Sequence, residues 1–182
     1  MFKVIGYLIA ALTIFGCSSY APPAYQEPPE NIPTANLTNS IWITGRYASA
    51  TIIIGGGDQC RAPQTERSKQ ILYKVNTAQR PPLPPVKIAA LQPIRLWYSY
   101  SSNQGTCDLA IDTFLLPNRN YKLQGGSTYL PGDGSFLSGS SGCTLSVIDE
   151  QTNTRIPSVR AGSVPVCDLV KPTENSPLLK MP

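Results

Sequence analysis

Histidine is absent from this chain. A Ser-His-Asp or Cys-His arrangement therefore has no base, and the side chain that most often moves protons near neutral pH is missing. Without histidine a zinc site needs thiolates, and the five cysteines show no Cys-x-x-Cys spacing. Charge is scarce as well: Asp, Glu, Lys and Arg make up 14% of the residues, against about 25% in an average protein. Lys and Arg do not gather into a stripe, so the electrostatic footprint of a nucleic-acid binder is lacking. No internal repeat and no sustained helical periodicity run along the chain. Beyond the first sixteen residues no apolar run approaches the roughly 20 residues that span a bilayer as a helix.

What is present begins at the N-terminus. Met1-Phe2-Lys3 is short and positive, residues 4–15 are almost wholly apolar, and Gly16-Cys17 follows. A charged start, an apolar stretch of about a dozen residues and a small residue before a cut are the parts of a secretory signal. Ile14-Phe15-Gly16-Cys17 resembles the lipobox of a Gram-negative bacterial lipoprotein, with Phe15 bulkier than the usual small residue. The resemblance implies that residues 1–16 are removed and that the Cys17 sulfur carries a diacylglycerol. Each buried methylene of such a lipid contributes about 0.8 kcal/mol, and more than one chain is needed for a stable hold. Ser18 and Ser19 follow the cysteine and no Asp stands beside it, which by the same resemblance implies delivery to the outer membrane.

Residues 17–35 hold Cys17 and then five prolines, Pro22, Pro23, Pro28, Pro29 and Pro33. Proline-rich chain stays extended, near ~3 Å per residue. It is expected to act as a tether. Residues 36–171 are expected to form one β-domain, and residues 172–182 a loose tail.

Four cysteines follow Cys17: Cys60, Cys107, Cys143 and Cys167. An even number in an exported chain reads as two disulfides. Four cysteines allow three pairings, and the expected one joins Cys60 to Cys107 and Cys143 to Cys167.

The domain reads as short strands. Residues 40–44 contain Ile41, Trp42 and Ile43, and residues 48–54 end in three isoleucines, which suits a strand buried on both faces. Gly55-Gly56-Gly57 is expected to stop that strand, and residues 60–69 to form a polar loop with one helical turn. Ile71, Tyr73 and Val75 alternate with Leu72, Lys74 and Asn76. Pro81 to Pro85 is expected to resist regular pairing and make a rigid crossing. Ile94, Leu96, Tyr98 and Tyr100 share one face of the next strand; Arg95, Trp97 and Ser99 share the other. Cys107, Leu109 and Ile111 alternate with Asp108 and Asp112. Turns are expected at 117–120 and 151–154, loops at 131–134 and 138–142, and a closing strand at 164–170.

About seven to nine such strands without a helix predict an all-β fold, a small antiparallel β-sandwich of immunoglobulin-like or transthyretin-like type. Residues 86–123 also resemble a design found in uncharacterised outer-membrane lipoproteins, in which a cysteine-bearing strand, a Pro-containing turn and a Tyr strand follow one another. That resemblance carries no active site.

The chemistry offered is slight. Asp108 and Asp112, four residues apart on a strand, are roughly 13 Å apart, too far to share a reacting centre, and read as a solvated face. Asp149-Glu150 also reads as solvent-facing. Gly55 to Asp58 lacks the Lys-Ser/Thr of a phosphate loop and reads as a turn. Gly132 to Ser135 has one carboxylate, short of the six to eight oxygens that calcium takes. No metal, cofactor or catalytic residue is expected. Trp42 reads as core. Trp97 and Arg95 lie at the surface if the sheet has one wet face, and inside if both are covered; exposed Trp and Arg are favoured interface anchors.

The expectation is therefore an outer-membrane lipoprotein on the periplasmic side. It is lipid-anchored and not an enzyme, and acts as an interaction or structural module for an envelope partner rather than nucleic acid. The alternative is a periplasmic inhibitor or binding module for a hydrolase, a polysaccharide or a small ligand.

Overall fold

The structure is a computed structural model that describes residues 21–56, 69–79, 81–103, 105–130 and 140–160. Cys17, Cys60 and Cys167, the signal, the tail and the expected strand at 164–170 lie outside the described residues.

The described residues form ten strands and no helix: β1 (Thr34–Asn39), β2 (Ser49–Gly56), β3 (Gln70–Asn76), β4 (Leu83–Ala89), β5 (Pro93–Ser102), β6 (Gly105–Phe114), β7 (Asn120–Leu130), β8 (Ser140–Asp149), and the short β9 (Thr154–Arg155) and β10 (Ser158–Arg160). They make two five-stranded sheets. The first has the order β10-β6-β5-β2-β3 and is antiparallel throughout. The second has the order β4-β1-β7-β8-β9. It departs from the expected antiparallel pattern at one joint, because β1 runs parallel to β7.

Alternation explains the core. Ile52, Ile54, Ile94, Leu96, Tyr98 and Ile111 point inward from the first sheet, and Leu37, Ile88, Tyr121, Leu123, Leu145 and Val147 meet them from the second. Full burial of a Leu or Ile side chain contributes about 1.5–3 kcal/mol, so this layer dominates the favourable side. Tyrosine hydroxyls cross between layers at its margins. Tyr73 Oη donates to the Leu37 carbonyl (2.7 Å) with the Pro84 carbonyl 3.1 Å away, and Tyr100 Oη donates to the Thr44 carbonyl (2.6 Å).

Several local expectations are corrected. The first strand is 34–39, not 40–44. Asn39 Oδ1 accepts the Ile41 N–H (3.0 Å), so a side chain takes the place of a ladder partner and pairing lapses. Ile41 and Ile43 still point inward, which leaves Trp42 outward and 64% exposed rather than in the core. Ile53 is only half-buried, so β2 is not covered on both faces. Pro84 and Pro85 stand inside β4. The strand lies at a sheet edge and pairs only with β1, where a missing N–H is tolerated, and its register shifts there. Residues 140–142 belong to β8 rather than to a loop. The turns at 117–118 and 151–153 are as expected, with Asn118 (φ 58°) and Asn153 (φ 51°) in the left-handed region.

The expected disulfide pairing is also overturned. Cys107 on β6 is joined to Cys143 on β8, with Cα atoms 6.1 Å apart. The bridge excludes both Cys60–Cys107 and Cys143–Cys167. Spacing along the chain does not distinguish the possible pairings, whereas the fold stacks β6 over β8 in the opposite sheet. Closing a loop of 36 residues, the bond staples one sheet to the other.

The proline-rich stretch before β1 differs from a bare tether. Ile71 N–H donates to the Pro23 carbonyl (2.7 Å) and Tyr25 N–H to the Ile71 carbonyl (2.9 Å). Tyr25 Oη then reaches the Lys87 carbonyl (2.9 Å), and Glu27 accepts the Lys87 N–H (3.2 Å). The segment thus ties β3, the edge of one sheet, to β4, the edge of the other. Two edges that offer unpaired backbone groups are covered in this way.

Candidate functional site

The two outer faces of the sandwich differ in chemistry. On the first sheet, Ile53, Trp97 and Ala110 stand side by side on β2, β5 and β6. Arg95 pairs with Asp112 one step along the strands, and Ser99 with Asp108 one step the other way. Trp97 and Arg95 are partly exposed, so this sheet does have a wet face. Lys69 Nζ lies 5.2 Å from the Trp97 ring centre and Arg95 Cζ 5.9 Å away, both within cation–π reach. Lys69 and Trp97, with Ile53, Ser99, Asp108 and Ala110, border a shallow hollow of about 440 Å³.

Arg95 is held firmly. Its Nε and Nη2 donate to the two carboxylate oxygens of Asp112 at 2.6 and 2.7 Å. The Asp112 hydrogen bond raises the Arg95 pKa further above its ordinary value, against the opposing effect of burial. Asp112 has 0% exposure, so the solvated reading of that residue is wrong. A buried carboxylate persists here because a bidentate guanidinium satisfies it. Asp108 is exposed, as expected.

Asp149 is corrected for a similar reason. It is buried, accepts a hydrogen bond from Arg119 Nη1 (2.6 Å), and accepts the Gln151 and Thr152 N–H groups (2.9 and 3.3 Å) at the β8–β9 turn. Burial alone would raise its pKa. The Arg119 hydrogen bond and the two backbone donors outweigh that and hold the carboxyl below its ordinary 3.8.

The second sheet carries a groove of about 630 Å³ on its outer face. One wall is the extension of β1 beyond Asn39, with Ser40, Trp42 and Thr44 pointing outward. The floor is the outer surface of β7 and β8, where Gln124, Thr144 and Ser146 stand around Gly126. Gly126 has φ 153°, and a methyl group added there would come within 2.6 Å of the Trp42 carbonyl. Gly125 has φ 147° and lies against the Thr144 backbone. These two positions require glycine: the missing side chain of Gly126 lets the β1 extension pass close over β7, and that of Gly125 lets β7 lie against β8. None of the described lining residues is charged.

Of the residues expected from the sequence, Arg95 and Trp97 are brought together on one face, and Cys107 and Cys143 are bonded to each other. Sequence reasoning missed Lys69, which arrives from the chain preceding β3, and the exposed Trp42. The Ile41-Trp42-Ile43 alternation held the signal for Trp42: two inward isoleucines force the residue between them outward. Among the described residues no three His, Cys, Asp or Glu side chains gather as a metal set, and no helix is long and apolar enough to cross a membrane. No protein-family profile, curated protein or solved structure matches the chain.

Proposed function

We propose that this protein is a lipid-anchored envelope lipoprotein, held by Cys17 in the outer membrane on the periplasmic side, and that its β-domain is a non-catalytic docking module. The Ile14 to Cys17 lipobox supports the anchor. The Cys107–Cys143 bond fits an oxidising compartment such as the periplasm. The strand order supports the transthyretin-like sandwich over the immunoglobulin-like one. An immunoglobulin domain pairs its first two strands in one sheet, whereas β1 and β2 here lie in different sheets.

One observation carries the docking role: Trp97 stands at the centre of an outer sheet face between Lys69 and Arg95. A flat aromatic group with fixed cations beside it is the kind of anchor that dominates protein interfaces. Asp112 occupies the Arg95 fork, while Lys69 makes no ion pair among the described residues. The partner that fits is a protein surface offering an apolar patch to Trp97 and a carboxylate to Lys69.

Two measurements test this. Cys17→Ser is expected to move the protein from the membrane to the soluble fraction and to remove the fatty acid seen by mass spectrometry; equal sedimentation of the variant sinks the anchor. A photo-crosslinking residue at position 97 in the anchored protein is expected to give discrete protein adducts, and one at the exposed position 47 far fewer. Equal patterns at both positions sink the docking face.

A further inference from the structure

We infer that the groove on the second sheet is a binding site for a neutral oligosaccharide, with Trp42 as its stacking platform. The site is separate from the Trp97 face, so either reading stands if the other falls. Three observations converge on it.

The first is the exposure of Trp42. An indole is a large apolar surface, and leaving it 64% exposed costs the favourable transfer that burial would bring. Its neighbours fix it there. Ile41 and Ile43 are buried on either side, and the Gly126 backbone lies beneath the Trp42 carbonyl. The platform is therefore rigid in the backbone, which lowers the ordering cost of binding.

The second is the lining. The polar groups around the indole are short hydroxyls and an amide, from Ser40, Thr44, Thr144, Ser146 and Gln124. A sugar ring has an apolar C–H face and a rim of hydroxyls that both donate and accept. Hydroxyl and amide side chains also do both, and an aromatic face covers the C–H surface. A phosphate, a uronate or a charged peptide would find no counter-charge among the described lining residues.

The third is size and floor. About 630 Å³ lies inside the ~300–1,000 Å³ range of small-ligand sites. Gly126 lacks a side chain, so the chain that carries Trp42 lies close against β7 and nothing projects from that position into the groove. The groove runs on an outer face, which suits a segment of a chain-like ligand more than an enclosed metabolite.

Trp42 and Trp97 are the two tryptophans of the chain. The full-length Trp97→Phe protein therefore reports on Trp42 alone. It is titrated with maltohexaose, cellohexaose and N-acetylchitohexaose, and with polyglutamate and an uncharged Ser/Gly-rich peptide as rivals. At least one hexasaccharide is expected to change Trp42 emission saturably, with Kd near or below about 1 mM. In the protein that keeps Trp97, Trp42→Ala is expected to weaken that sugar at least tenfold by calorimetry, and Gln124→Ala by a few fold. Both side chains are exposed, and an unchanged circular dichroism spectrum and melting curve show that the variants fold. Three results would each overturn the inference: no saturation by any of the three sugars below about 10 mM, unchanged binding by Trp42→Ala, or tighter binding of polyglutamate or the peptide than of every sugar.

Discussion

The two sheets solve the same packing problem in different ways. In the first, β5 and β6 pair along their whole length and are close neighbours in the chain. In the second, β1 reaches across to β7 in a parallel joint, where Asn36 Nδ2 donates to Asn120 Oδ1 over a sequence separation of 84. The outer faces follow suit. The first can carry charge because a neighbouring strand supplies the partner, Asp112 for Arg95. The second is neutral where β1 leaves the ladder, and Gly126 there lets backbone cross over backbone. A regular sheet thus builds a fixed charged surface, while an interrupted one opens a groove.

The largest test removes what joins the two. Replacing Cys107 and Cys143 together by serine is expected to lower stability by about 3–4 kcal/mol, the chain-entropy value for a loop of this length, in urea unfolding of the oxidised protein. A loss below about 1 kcal/mol would mean that the core alone holds the sheets in register.

The charge pairs sharpen the contrast next. Arg95→Ala leaves Asp112 buried without its cation and is expected to cost about 3 kcal/mol, the low end for a broken buried pair because Arg95 is itself partly exposed. Arg119→Ala is expected to cost less, because Asp149 keeps the Gln151 and Thr152 N–H groups. Its signature is instead in pH. A carboxyl held below 3.8 contributes stability above that value, which is lost as pH falls through the depressed one. Removing Arg119 is therefore expected to move the acid-unfolding midpoint upward. Equal losses at neutral pH from both substitutions would erase the distinction between the pairs.

The smallest effect lies at the interface of the sheets. The Tyr98 and Ser127 hydroxyls are close enough to influence each other, yet neither reaches hydrogen-bond geometry. Tyr98→Phe removes an unsatisfied buried hydroxyl and is expected to change stability by less than about 1 kcal/mol. Burial pushes Tyr98 up to about 12, as it does Tyr73, and Tyr25 reaches about 12 through burial and the Glu27 charge. Stability from these groups is complete below pH 10 and is lost as pH rises toward 12. Ultraviolet titration is expected to show a late tyrosinate step that Tyr98→Phe reduces; an unchanged step would place the Tyr98 ring outside the core.

The first sheet was legible because alternation is a local signal. Ile94, Leu96, Tyr98 and Tyr100 against Arg95, Trp97 and Ser99 can be read within one strand, and the structure keeps that division. Asp112 and Asp149 were misread because a lone carboxylate carries no mark of the arginine that will reach it. The bond between Cys107 and Cys143 was missed for the same reason, since which strands stack is a property of the sheet order. Trp42 was misassigned because three large apolar residues in a row look like core until the face of each is known.

Composition and periodicity by themselves determined that the described residues are all-β, and that the chain is poor in charge and without a histidine-based site, since these follow from residue types and their spacing along one strand. Only the tertiary structure decided the parallel joint, the cross-sheet disulfide, the burial of two carboxylates and the exposure of one tryptophan. Each of these depends on contacts between residues far apart in the chain, and their energy is set by what surrounds a group rather than by what the group is.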